Sequence, residues 1–328
     1  MRSWPWRSAR GIVDHAAGSS IHHNIRILQS RGWVMSTLTE TRNRADLLIV
    51  LGTTLRDTNP GFWSRIGSPA EAMFLAADET RTVVLIGDGL DATEVAGARI
   101  GDVVTLQCPD DRIGDVLGAL RARLKGAQIA ERELAGVTLA GIDGLAARIA
   151  KARYGVIAWA PGALPAATAD LTIERATELI KDLSRAQRFA GLALGGAEGA
   201  TTAVGVCTWQ SGYPLRVSYE SGAPDYDPDR NAIDRCLAEG EGDLLIWTAS
   251  ISPDIVPPAT TLPLIVLGTP GLALDRPADV FIPVGTPGLD HKGRMIRVDG
   301  VVSLPLKAVT NAGLPRVADV AAAIKAAL

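Results

Sequence analysis

Leu47-Leu48-Ile49-Val50-Leu51-Gly52-Thr53-Thr54, entered through Arg44-Ala45-Asp46, is the stretch whose reading decides the fold class. Five apolar residues in a row, with no polar alternation, describe a strand covered on both faces, as inside a parallel sheet. The Gly-Thr-Thr behind it is a turn at the strand's carboxyl end, where open α/β sheets expose backbone N–H groups to ligands. The pattern recurs in Thr82 to Ile86 running into Gly87-Asp88-Gly89, and in Tyr154 to Trp159 running into Ala160-Pro161-Gly162. It recurs again in Phe189 to Leu194, Asp243 to Ala249 and Leu262 to Leu267, while Asp102 to Gln107 and Ala278 to Pro283 read as shorter strands, the latter near a sheet edge.

Between the strands lie helix signals. Ser68-Pro69-Ala70-Glu71 has the form of a capping box with proline at the first helical position and predicts a helix over 69–77. Ile113, Val116, Leu117, Leu120 and Leu124 share one face of a helix over 110–124, as Ile173, Ala176, Ile180 and Leu183 do over 172–187. Further helices are expected near 143–152, near 229–239 and from Val317 to Leu328. The class is therefore α/β, with two doubly wound Rossmann-like units at 41–125 and 126–288. A segment 1–40 precedes them, a glycine-rich junction occupies 126–144, and 289–328 is a β-hairpin (289–309) followed by the last helix.

Composition narrows the function. The 328 residues carry a formal charge of −3 with scattered Lys and Arg, which gives no footprint for nucleic acid. No apolar run approaches the roughly 20 residues of a membrane span, and Met1 to Arg10, with Arg2, Arg7 and Arg10 around Trp4 and Trp6, lacks a signal peptide's apolar region. A cytoplasmic setting is expected. Cys108, Cys207 and Cys236 are too dispersed for a disulfide scaffold, an iron–sulfur cluster or a zinc knuckle held by this chain alone. His15, His22 and His23 cluster, but no thiol or carboxylate stands at ligand spacing, and on a strand His22 and His23 point to opposite faces. Polar loop or helix-start residues are the reading there. No catalytic triad, nucleophile or acid–base pair stands out, since Asp225 and Asp227 around Tyr226 are equally explained by turn chemistry.

The aromatic stretch from Cys207-Thr208-Trp209-Gln210-Ser211-Gly212-Tyr213-Pro214 through Ala223-Pro224-Asp225-Tyr226-Asp227-Pro228 to Asn231 is punctuated by glycine and proline. It reads as a long ordered loop, 207–231, lining a site or an interface or else capping a core edge. Its Thr-Trp-Gln-Ser-Gly-Tyr-Pro run and Pro-x-Tyr-x-Pro run resemble the B subunit of formylmethanofuran dehydrogenase. The resemblance is closer to the B-subunit homologue in the formyltransferase/hydrolase complex of methylotrophic bacteria. It extends from about residue 11 to the end. Arg44-Ala45-Asp46 into Leu51-Gly52 is similar to the family's strand entering a pterin-phosphate loop. Ala278 to Pro283, Thr286-Pro287-Gly288 and Arg297-Val298-Asp299-Gly300-Val301 match its late segments. More distantly, that end resembles the large molybdopterin oxidoreductases.

The resemblance implies a reduced molybdopterin-oxidoreductase core, and the departures imply its lost chemistry. The family's Cys-His pair, metal ligand and active-site histidine, falls at Ser20-Ile21. A serine hydroxyl is a poor substitute for a soft thiolate, although serine is a metal ligand in some molybdopterin enzymes. The family's Asp-Pro-Arg falls at Gly87-Asp88-Gly89-Leu90, without the phosphate-gripping arginine, and its Arg-Gly-His falls at about Gly195-Gly196-Ala197. The N-terminal iron–sulfur segment is expected to be absent. No catalytic, cofactor-binding or metal-binding residue is therefore assigned to this chain. Neither a tungsten or molybdenum pterin nor an iron–sulfur cluster is expected on it, and metals are expected in the A subunit of the complex. The resemblance implies a structural B subunit that meets the A, C and D subunits, mainly A and C, in a complex moving formyl from a tetrahydromethanopterin carrier to a methanofuran analogue and releasing formate. The aromatic loop 207–231, with Trp209 and Tyr213, and the segment 289–309 are the interface expectations. Two other classes stay open: an active tungsten- or molybdenum-pterin enzyme with Ser20 as ligand, and a nucleotide or small-molecule binder using the loops at Thr53-Thr54 and Ser250–Ser252.

Overall fold

The computed structural model describes residues 11–195 and 197–327. In chain order the elements are β1 (Ile12–Val13), α1 (Gly18–Arg31), α2 (Leu38–Arg44), β2 (Leu47–Leu51), β3 (Arg81–Gly87), β4 (Ile100–Gln107) and α3 (Ile113–Leu124). Then come β5 (Glu133–Leu134), β6 (Val137–Thr138), α4 (Leu139–Lys151), β7 (Gly155–Trp159), α5 (Ala169–Ser184), β8 (Phe189–Ala193) and α6 (Ala200–Ser211). The rest are β9 (Val217–Ser218), β10 (Asp225–Tyr226), α7 (Ile233–Ala238), β11 (Leu245–Ala249), β12 (Leu264–Gly268), β13 (Val280–Pro283), β14 (Gly293–Ile296), β15 (Ser303–Leu306) and α8 (Val317–Ala327). The chain packs as two units, one from Ser20–Gly195 and the other from the residues up to Ser19 with those from 197 onward.

In the first unit five parallel strands form one sheet in the order β4-β3-β2-β7-β8. Every residue of β2 is buried, as its unbroken apolar run requires. Ile113, Val116, Leu117 and Leu120 of α3 and Ile173, Ala176, Leu179 and Ile180 of α5 are buried in a core with Ile49, Leu51, Val84, Ile86, Ile157 and Trp159. The amphipathic faces read from sequence are thus the packed ones, and Leu124 and Leu183 lie at their edges. The chain leaves β2 toward β3 and β4, then returns across it to β7 and β8, so strand order reverses between β2 and β7.

The second unit holds a three-stranded parallel sheet β11-β12-β13, with β13 at its edge as expected, and an antiparallel ribbon β1-β9-β10. The hairpin anticipated in 289–309 is present as β14 paired with β15.

Four expectations are corrected. Residues 69–77 contain no helix: Ser68 Oγ accepts from the backbone N–H of Arg99 instead of capping a turn, and the Arg99 guanidinium donates to the Ala70 and Ala76 carbonyls. Those carbonyls are held by a side chain from the turn before β4, which beats one turn of local propensity. The aromatic stretch is not a loop throughout, because Cys207–Ser211 finishes α6 and the break comes at Gly212 in the left-handed region. Proline constrains only itself and the residue before it, so nothing before Tyr213 was barred from helix. The boundary near 126 does not separate two sheets, since β7 and β8 join β2 in one, and α4 begins at Leu139 inside the supposed junction. His22 and His23 lie on helix α1, not on a strand. The expectations for Met1 to Arg10 and for Gly196 fall outside the described residues.

Candidate functional site

The reversal of strand order between β2 and β7 creates the crevice in which open α/β sheets place their ligands, outside the carboxyl ends of the strands. Ser20, at the start of α1, comes to that end: its Oγ lies 3.8 Å from where a Cβ on Gly162 would stand, just past β7. Asn24, one turn later, accepts a hydrogen bond from Trp159 Nε1 at 2.9 Å, which fixes α1 over the end of β7. Ile21 is half-buried beside them.

The loops that would grip phosphate are already engaged. Gly52 (φ +63°) makes the turn after β2, and a Cβ there would stand 2.9 Å from Leu164 Cδ2, so an aliphatic side chain fills the space above it. Thr53 Oγ1 accepts from the N–H of Leu55, a buried residue held at φ +63°. Thr54 Oγ1 donates to Glu94 Oε2 at 2.5 Å, and Arg56 donates to the other oxygen of Glu94 at 3.1 Å. After β3, the N–H of Asp88 donates to Asp110 Oδ1 at 2.9 Å. A carboxylate therefore sits where a phosphate oxygen would need that amide. The field is negative enough to be read in Cys108, whose thiol is pushed up to about 11 by burial and by the charges of Asp110, Asp88 and Asp111. Arg112, the nearby cation after Asp111, is taken by Asp115.

In the second unit the aromatic run forms a platform. Trp209 projects from α6 and is 71% exposed, while Tyr213 stacks on Tyr226 with centroids 5.3 Å apart and planes 9° from parallel. The next two residues, Leu215 (φ +70°) and Arg216 (φ +50°), both occupy the left-handed region that L side chains avoid. A buried network holds them there. Arg216 Nε donates to Asp14 Oδ2 at 3.3 Å, Nη2 to Ser19 Oγ at 3.0 Å and Nη1 to the Pro228 carbonyl at 2.5 Å. Asn231 donates from its side chain to the carbonyls of Arg216 and Asp225. His15 accepts from the N–H of Ala17 at Nδ1, so Nε2 bears the hydrogen and donates to the carbonyl of Glu198, another left-handed residue. Asp225 pairs with Arg230, and Asp227 accepts from the N–H groups of Arg230 and Asp229, which hold its carboxyl below the usual range. These two carboxylates do turn work. Ser252 is likewise closed into a turn, accepting from the N–H of Asp254.

Sequence reasoning missed the Asp14–Arg216 pair and one more. His23 Nδ1 meets Asp170 Oδ1 at 2.5 Å, joining α1 to the first turn of α5 across 147 residues. No local spacing could have announced it. Among the described residues no group of three or more His, Cys, Asp and Glu could hold a metal ion.

No family model matches the chain. Over 296 residues it is 26% identical to the B subunit of the tungsten-containing formylmethanofuran dehydrogenase 2 of Methanocaldococcus jannaschii, spanning 88% of this chain and 67% of that one. The chain is a homologue of the formylmethanofuran dehydrogenase B subunit. Among these B-subunit homologues is that of the formyltransferase/hydrolase complex Fhc of Methylorubrum extorquens, 28% identical over 288 residues, which cover 86% of this chain and 73% of that one. A chain in the crystal structure of that organism's formyltransferase/hydrolase complex (FhcABCD), solved in complex with methylofuran, matches with a TM-score of 0.77 at 27% identity. That match covers 96% of this chain and 83% of the other, so the likeness reaches across both packed units.

Proposed function

We propose that the chain is the non-redox, structural B subunit of a cytoplasmic formyltransferase/hydrolase complex. That complex would transfer formyl from a tetrahydromethanopterin carrier to a methanofuran analogue and hydrolyse it to formate, with this chain holding mainly the A and C subunits, alongside D. The observation that carries the reading is the carboxyl end of the five-stranded sheet. A pterin–metal group brings phosphates and a soft metal, and the residues present do not fit it. The loop amides and hydroxyls there answer to Glu94 and Asp110, and Arg56 and Arg112 are neutralised in ion pairs. Serine stands at the ligand position, and Cys108, the cysteine of this unit, keeps its proton at neutral pH. The same carboxylates argue against a nucleotide binder that uses Thr53-Thr54 as a phosphate loop.

The strand order, reversing at β2, supports descent from a doubly wound molybdopterin-oxidoreductase core. Trp209 and the apolar residues Leu289, Val301, Leu304 and Val309, all exposed, support the interface role of α6 and the hairpin region. No described helix is long and apolar enough to cross a membrane. One observation favours the second reading, an active tungsten- or molybdenum-pterin enzyme: two of the relatives are named tungsten-containing.

Elemental analysis of the natively purified complex separates the two. The structural reading expects no tungsten or molybdenum in proportion to this chain while formate is still released, and Ser20→Ala leaves that release intact. Stoichiometric metal, or a large loss in Ser20→Ala with assembly unaffected, overturns it.

A further inference from the structure

His23 and Asp170 tie α1 to α5, and Arg26 Nη1 lies 3.9 Å from the other oxygen of Asp170. A carboxylate only accepts hydrogen bonds, so His23 Nδ1 carries the hydrogen it gives to Asp170, and the neutral ring's lone pair is on Nε2. Asp170 lies in the first turn of a 16-residue helix. The His23 side chain is 16% exposed, and Nε2 engages no described group and is not among the buried unpaired atoms, so it is open to solvent.

The start of α5 supplies a second feature. Ala169 and Thr172 donate their N–H groups to the carbonyls of Pro165 and Thr168, but the N–H groups of Asp170 and Leu171 have no backbone acceptor among the described residues. Leu171 is itself exposed. An oriented imidazole with an open Nε2, its carboxylate, and two unclaimed donors on the same helical turn are the parts that acyl hydrolysis requires. Ser20 stands one turn before His23 on α1, at the carboxyl end of β7.

We propose that His23, oriented by Asp170, is a general base for the hydrolysis of small acyl esters on the α1–α5 face. Nε2 takes a proton from water as the water oxygen bonds to the acyl carbon. The carbonyl oxygen gathers charge against the N–H groups of Asp170 and Leu171. The ester C–O bond then breaks, and the imidazolium returns the proton to the departing oxygen, so water and ester become acid and alcohol.

The test uses the isolated full chain and 4-nitrophenyl acetate, with release of nitrophenolate as the signal. The wild-type rate exceeds the spontaneous one. His23→Gln lowers kcat/KM by about 100-fold and Asp170→Asn by at least about 10-fold, with circular dichroism unchanged. Should either variant fold poorly, carbethoxylation of the wild-type chain gives the same answer: modification mapped to His23 abolishes turnover, and hydroxylamine restores it. A wild-type rate equal to the spontaneous one, or turnover that survives His23→Gln or modification of His23, overturns the proposal. Neither result touches the placement of the chain in the complex, which rests on metal content and co-purification.

Discussion

Asp14 is the residue whose loss should be felt furthest in the second unit. Its side chain is 3% exposed, and its Arg216 partner 6%. Oδ2 accepts from Arg216 Nε and from the N–H of Ile233 at 3.1 Å, while Oδ1 accepts from the N–H of His15 at 2.8 Å. Asp14→Asn keeps the volume but leaves a buried guanidinium without its counter-charge, a loss of about 3–5 kcal/mol. The left-handed conformations of Leu215 and Arg216, each costing of order 1–3 kcal/mol, also lose the network that enforces them. The region should open before the rest of the chain unfolds. Hydrogen exchange at Val217, Ser218 and the amide of Ile233 reads this directly, because 3–5 kcal/mol at 1.36 kcal/mol per decade is roughly 10²·²- to 10³·⁷-fold faster exchange. A change below about tenfold at all three amides would refute the reasoning and show the pair to be energetically idle. Asp14→Asn combined with Arg216→Met gives the control, since removing both charges should recover part of the loss.

Asp182, held down to about 2 chiefly by Arg121 and then by Lys125, contributes stability above its unfolded value of 3.8 that is lost as pH falls toward 2. Its outer edge is wet, so Asp182→Asn should remove only about 1 kcal/mol at neutral pH and flatten the acid limb of the unfolding curve. Cys108 runs the other way: its thiol, raised from 9.0 to about 11, adds stability that is complete below pH 9 and lost between pH 9 and 11, about 2.7 kcal/mol in full. Cys108→Ser should therefore lessen the alkaline fall in stability, and Cys108 should resist maleimide at pH 8 until the chain is unfolded. Trp209→Ala should shift stability by less than about 0.5 kcal/mol yet reduce co-purification of the other subunits. Tyr213→Ala should cost about 1 kcal/mol as well, because it also loses the Tyr226 stack.

The elements that sequence reading placed well share one property: their signal is local. The all-apolar run of β2 and the spacing of Ile113, Val116, Leu117 and Leu120 each sit inside a single strand or helix, and burial follows from the pattern itself. The helix expected over 69–77 failed because its proposed cap, Ser68, is claimed by Arg99, 31 residues away. The loop expected from Cys207 failed for a local reason, the reach of proline having been overextended toward the N-terminus. Of the candidate site, Ser20 and the Gly-Asp-Gly turn could be picked out in the sequence, but the hydrogen bonds of Glu94 and Asp110 to the neighbouring loops could not.

By itself the sequence determined the α/β class and the identity of most strands and helices. Those are properties of residues and of their near neighbours. Only the tertiary structure decided that β7 and β8 join β2 in one sheet, that Glu94 takes the hydroxyl of Thr54, and that Arg216 and His23 find Asp14 and Asp170 across 202 and 147 residues. Coulombic and hydrogen-bonding partners are selected by distance in space. A chain folded around long crossovers brings that distance about without marking it in the order of its residues.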